Sequence, residues 1–147
     1  MPKLFTLREA QALVPKLEQL LRAAVKAKNA AEEVDEELQS VAARITMSGG
    51  MEIDPTAVAE MKVRKMGAVR TLQESVEEIR ETGCLIKDLE EGLLDFPAML
   101  GDREVYLCWK LGESQIEYWH HVEDGFAGRK RIEREFGDND LPSSRPN

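Results

Sequence analysis

The sequence predicts an α+β fold: a long antiparallel helical hairpin followed by a small three- to four-stranded antiparallel β-meander packed on the N-terminal part of helix one. Three observations point there. Apolar residues recur at alternating spacings of three and four from Ala10 to Ile45, Ser48-Gly49-Gly50 separates that run from a second helical pattern, and after Gly83 the apolar period falls to two.

The first element spans residues 7–46. Ala10, Leu13, Leu17, Leu20, Ala24, Ala27, Ala31, Val34, Leu38, Val41 and Ile45 share one seam of a helix at 3.5 residues per turn, a coiled-coil spacing. At 1.5 Å rise per residue such a helix is about 60 Å long, far beyond the usual three turns. Its start is marked by Phe5 ahead of Thr6 and by Glu9 three residues on, the pattern of a capping box, with Phe5 placed to meet Ala10 as a staple. Pro15 lacks the N–H that would bond the carbonyl of Gln11, so a bend or restart is expected there. Ala24, Ala27 and Ala31 make the middle of the seam small and predict close approach of a neighbouring backbone. Glu32, Glu33, Asp35, Glu36 and Glu37 form an acidic outer face, expected to be solvated.

Ser48, Gly49 and Gly50 predict a turn, and Asp54-Pro55 a second helix start, with proline at the first helical position where its missing N–H is harmless. Helix two is expected over 54–82 and stopped by Gly83. Val58, Met61, Met66, Val69, Leu72, Val76 and Ile79 form its stripe, interrupted by Lys62 and Lys65. A short connection makes the two helices antiparallel neighbours. The second is shorter, so Leu13, Leu17, Leu20 and Leu21 are left without a hairpin partner and must find cover in the C-terminal half, in another subunit, or in both.

Residues 84–122 alternate as strands do. Cys84 to Leu89 and Gly92 to Phe96 read as a strand pair ended by Pro97. Glu104 to Leu111 puts Val105, Leu107, Trp109 and Leu111 on one face and Tyr106, Cys108 and Lys110 on the other. In Ile116 to Val122, Tyr118 and His120 oppose Trp119 and His121. A sheet this small needs a second layer, and the uncovered leucines supply one. The organisation predicted is a single elongated domain over 1–129 and a charged, partly disordered tail over 130–147 that ends in LPSSRPN.

Composition narrows the function classes. The 147 residues are 42% hydrophobic with a formal net charge of −8, which argues against nucleic acid as partner, because phosphate contact needs clustered basic residues. Two cysteines are too few for a disulfide framework. No window approaches a membrane span and MPKLFTLREA has no signal-peptide run, so a cytoplasmic protein without membrane contact is expected.

Chemistry-bearing residues concentrate on the meander. His120 and His121 are the only histidines, and neighbours on a strand point to opposite faces, so one ion is not expected to take both. His120 with Asp88, Asp95 and Glu113 is the candidate set for a divalent metal, which favours carboxylates joined by an imidazole. Neither HExxH nor paired CxxC spacing occurs. Cys108, within YLCW, reads first as a buried structural thiol and Trp109 and Trp119 as core, while Arg129 after Gly125-Phe126-Gly128 is placed to hold a carboxylate.

FTLREAQALVPKL, KDLEEGLLDFPA, YLCWKLGES and IEYWHHVEDGFAGR together resemble a bacterial family of unknown function, domain family 2203, over nearly the whole chain through Arg129. The resemblance implies the same order of a leading helix, a second helical stretch and a short-strand region. Positions that recur in the family fall on Asp88, Gly92, Asp95, Phe96, Pro97, Cys108, Trp109, Gly112, Glu113, Trp119, His120, Gly125, Phe126, Gly128 and Arg129, which favours His120 over His121. It implies no activity. From the residues, a self-associating, non-enzymatic homo-oligomer, most simply a dimer, is the reading favoured by the uncovered leucines. The alternatives are a small metal-assisted hydrolase or ligand-binding protein built on the carboxylates and His120, and an acidic scaffold for a protein partner.

Overall fold

Thr6 and Glu9 close the capping box in both directions: Thr6 N–H donates to Glu9 Oε1 at 2.9 Å and Glu9 N–H to Thr6 Oγ1 at 3.1 Å. From that cap the computed structural model, which describes residues 3–47, 49 and 54–136, runs α1 (Leu7–Met47), α2 (Pro55–Glu81), β1 (Leu85–Asp88), β2 (Leu93–Leu100), β3 (Arg103–Lys110), β4 (Tyr118–His121) and β5 (Lys130–Arg131). Apart from Gly49, the turn expected at Ser48 to Gly50 lies outside the described residues, as does the tail from Gly137. The chain divides into two compact units: Met1–Leu21 with Glu77–Asn147, and Arg22–Val76.

The unit of residues 22–76 is the hairpin. Ala24, Ala27, Ala31, Val34 and Val41 are buried along α1. Asp54 Oδ1 accepts the N–H of Thr56 and caps α2. Two residues of the acidic face are paired to α2, Asp35 to Lys65 at 2.6 Å and Glu37 to Arg64 at 3.1 Å. Lys65 therefore occupies the line expected for apolar residues, and Met66, placed on that stripe by its spacing, is 71% exposed.

The other unit carries the sheet. Its five strands are antiparallel in the order β1-β2-β3-β4-β5, one more than the three to four that alternation predicts. The additional strand, Lys130–Arg131, has only two residues and no apolar alternation to mark it; Ile132 beyond it is buried and its N–H donates to Glu117 O. One face of the sheet presents Leu94, Phe96, Val105, Leu107, Trp109 and Trp119 to Phe5, Leu7, Ala10, Val14, Leu17 and Leu21. The leucines left over by the hairpin are thus covered within the chain. The most buried line is Leu7, Ala10, Val14, Leu17 and Leu21, with Leu13 and Leu20 half-buried beside it.

The restart offered as one alternative at Pro15 does not occur: α1 continues through it, its side chain exposed between the buried Val14 and Leu17, so anchoring on both sides offsets the lost backbone bond. One strand boundary is corrected as well. β2 continues through Pro97 to Leu100. Pro97 O accepts Phe5 N–H at 2.7 Å, on the strand side facing away from β3, so its missing N–H takes no bond from the β2–β3 ladder. Gly83 ends α2 at φ +95°, and a Cβ there would lie 2.9 Å from Lys3 Cβ.

Candidate functional site

Alternation puts every second residue of β2, β3 and β4 on the sheet face away from α1. Asp95 on β2 lies directly opposite Cys108 on β3, and Cys108 opposite Tyr118 on β4. His120 lies opposite Tyr106, one step along the same face. The chain leaving β4 then turns through a 3-10 segment at Phe126–Gly128. Val122, Asp124, Gly125 and Phe126 from this turn share a cavity of about 170 Å³ with Lys87, Leu93, Asp95, Tyr106, Cys108 and His120.

Asp95, Cys108 and His120 are each at most 2% exposed, and one donor atom from each lies within 4.8 Å of the others. His120 Nε2 is 3.2 Å from Asp95 Oδ1 and 3.1 Å from Oδ2, while His120 Nδ1 is 2.8 Å from His121 O. A carbonyl oxygen only accepts, so Nδ1 carries a proton. A neutral imidazole would then turn the lone pair of Nε2 toward an ionised carboxylate, two acceptors face to face. The pair is compatible only with a cation between the two groups, a proton or a metal ion.

The charges nearby reinforce this. Burial raises the Asp95 carboxyl above its ordinary range, against the charge and hydrogen bond of His120, which favour ionisation. Burial and the Asp95 charge push the Cys108 thiol up to about 12, with the Arg129 guanidinium drawing it the other way. A thiol so held is protonated at neutral pH and is not an activated nucleophile. Cys84, on the core side, is raised further by burial and is free, like Cys108.

Arg129 belongs to an adjoining cluster. Its Nη2 donates to Glu113 Oε2 at 2.7 Å, and its guanidinium carbon lies 4.0 Å from the Tyr118 ring centre and 4.2 Å from that of Phe126. Glu113 Oε1 accepts the Lys110 N–H, and Glu113 O accepts Trp109 Nε1. Burial works against the charged guanidinium, but Glu113 and Cys108 outweigh it and hold Arg129 as a cation. The arrangement fixes a positive charge beside the Cys108 sulfur.

The candidates named from sequence therefore separate. Asp95 and His120 meet, and Cys108, read first as a structural thiol, joins them. Glu113 is engaged by Arg129 and Lys110. Asp88 is exposed and its carboxylate accepts the Glu91 N–H in the β1–β2 turn. Trp109 and Trp119 point to the core face, where Trp119 packs edge-on to His121 and Phe136. Tyr106, which alternation puts on the face of Cys108, lines the cavity; Lys87, Leu93 and Val122 were not singled out from the sequence.

Among the described residues no helix is long and apolar enough to cross a membrane. No curated protein and no solved structure matches the chain. A family model described as "Uncharacterized conserved protein (DUF2203)" does match, over residues 3–132; that span takes in both helices, all five strands and every residue of the buried cluster, and the chain belongs to this family.

Proposed function

We propose that the protein binds a divalent transition metal through Asp95, Cys108 and His120, with the fourth coordination position facing the cavity. The observation that carries this is the buried cluster itself: carboxylate, thiol and imidazole donors of Asp95, Cys108 and His120 lie within 4.8 Å of one another, and the His120–Asp95 pair among them can share a metal ion in place of a proton. Carboxylate, thiolate and imidazole together suit zinc. Metal bonds of about 2.0 to 2.3 Å give tetrahedral edges of roughly 3.3 to 3.6 Å, and the 3.1 and 3.2 Å contacts are close to that edge. The Nδ1–H bond to His121 O aims Nε2 at the centre, and Arg129 favours the ionised sulfur, both supporting roles around metal ligands. Three protein ligands with one open position is the pattern of zinc sites that polarise a bound group or water rather than merely staple a fold.

The test is metal content and uptake. Protein stripped with chelator and titrated with zinc is expected to take one equivalent and to melt at higher temperature when loaded, because the ion binds the folded chain. Asp95→Asn and His120→Ala should abolish uptake, and Glu113→Gln should retain it. Asp95→Asn keeps the shape of the site and lets the amide donate to His120 Nε2. Burial raises the Asp95 carboxyl, so this group favours the metal-free fold below its ordinary value and loses that effect as pH rises through the folded value. At neutral pH the Asn variant should accordingly melt higher than stripped wild type while taking no metal. Absence of stoichiometric uptake, or uptake unchanged in both variants, would remove the proposal.

A second reading is self-association, with a different footing from the one the seam suggests. Leu17 and Leu21 are fully buried in the chain's own core, so the surface for it would have to be elsewhere. Val63 and Met66, 67% and 71% exposed on α2, support that reading.

A further inference from the structure

We propose that the open position of this centre takes a short aliphatic carboxylate, its anionic end on the metal and toward Lys87, its chain against Leu93, Val122 and Phe126. This rests on the metal reading above. Charge is the first reason. A divalent ion is balanced by the Asp95 carboxylate and the Cys108 thiolate with His120 neutral; the cavity then carries one further charge of each sign, Lys87 and Asp124, and Lys87, whose charge reaches Asp95, is the one placed to meet an anion on the metal. Lys87 is held near the site by Tyr106, its Nζ lying 4.8 Å from the ring centre, and its charge reaches the Asp95 carboxyl. The second reason is the wall. Val122 and Phe126 are 41% and 38% exposed on the turn that lines the cavity, apolar surface that a bound alkyl chain would cover. Size is the third: about 170 Å³ falls below the roughly 300 Å³ at which pockets for drug-sized ligands begin. Asp124 also lines the cavity and would favour an amine instead, so the test includes one.

The full-length protein is loaded with Co(II), whose visible bands report the coordination sphere, and titrated separately with acetate, butyrate and butylamine. Both acids are expected to shift the bands, butyrate at about tenfold lower concentration through two further methylenes leaving water. Lys87→Gln should weaken both acids about fivefold, measured on protein that still holds one equivalent of Co(II). Equal affinity for acetate and butyrate, tighter binding of butylamine, or no effect of Lys87→Gln would overturn the carboxylate assignment and leave the metal centre standing. A protein that takes no Co(II) would overturn the metal reading, and the carboxylate with it.

Discussion

Thr6 and Glu9 show how much a pair of exposed polar residues can specify. Each satisfies an amide that the first turn of α1 would otherwise leave without a partner, and Thr6→Ala should cost about 1 kcal/mol in urea unfolding at pH 7. The Thr6 backbone N–H holds the Glu9 carboxyl below its ordinary value of 4.5. Ionised Glu9 therefore stabilises the fold above that value, and the effect disappears as pH falls through the lower, folded value. Glu9→Gln should be less stable than wild type at pH 7, and the difference should shrink as pH falls through the lowered Glu9 value. This cap was legible because its partners are three residues apart. The His120–Asp95 pair, 25 positions apart, was legible only as two candidates on one sheet, since strand register decides whether they meet. Cys108 was the harder residue: its apolar neighbours Leu107 and Trp109 are core, yet alternation turns the thiol to the opposite face, beside Asp95.

At the scale of elements, period determined what could be read. α1 has 41 residues in which apolar spacing, cap and length all agree, and its predicted end differs from the observed one by a single residue. The finer choice among neighbours was read on Leu13 and Leu20, whereas Val14 and Leu21 are the buried ones, because a helix stripe is wide enough to include both pairs until the opposing sheet selects its line. Leu17→Ala should destabilise the protein by about 2 to 5 kcal/mol, since Leu17 is fully buried among the sheet residues. Leu13→Ala, at a half-buried position, should cost distinctly less by the same urea titration. Equal losses would mean that the seam runs along the heptad positions after all. β2 was read as ending at Pro97 because proline is a poor strand residue in general; which side of the strand its nitrogen faces depends on Phe5, more than ninety positions earlier. β5 offered still less, two charged residues whose pairing is fixed by Tyr118 and Trp119 across the ladder.

For the whole molecule, the question left by an apolar seam is what covers it, and the answer decides where self-association must be sought. Sequence alone allowed the sheet or a second chain to cover Leu13, Leu17, Leu20 and Leu21. With Leu17 and Leu21 at 0% exposure inside one chain, a partner docking there would first have to expel the sheet, at the cost of the main core. A dimer that leaves each chain folded must use another face, and Val63 and Met66 are large apolar side chains exposed on α2. Their cover would be most directly removed by charge: an introduced carboxylate is destabilising when buried between chains and nearly neutral when left in water. On the self-association reading, light scattering at low micromolar concentration should give twice the 16.6 kDa chain mass for wild type and the single-chain mass for the double variant Val63→Glu, Met66→Glu, with unfolding midpoints compared to verify that each chain stays folded. A wild-type mass of one chain would end the self-association reading, and a double variant that remains paired would exclude this face of α2.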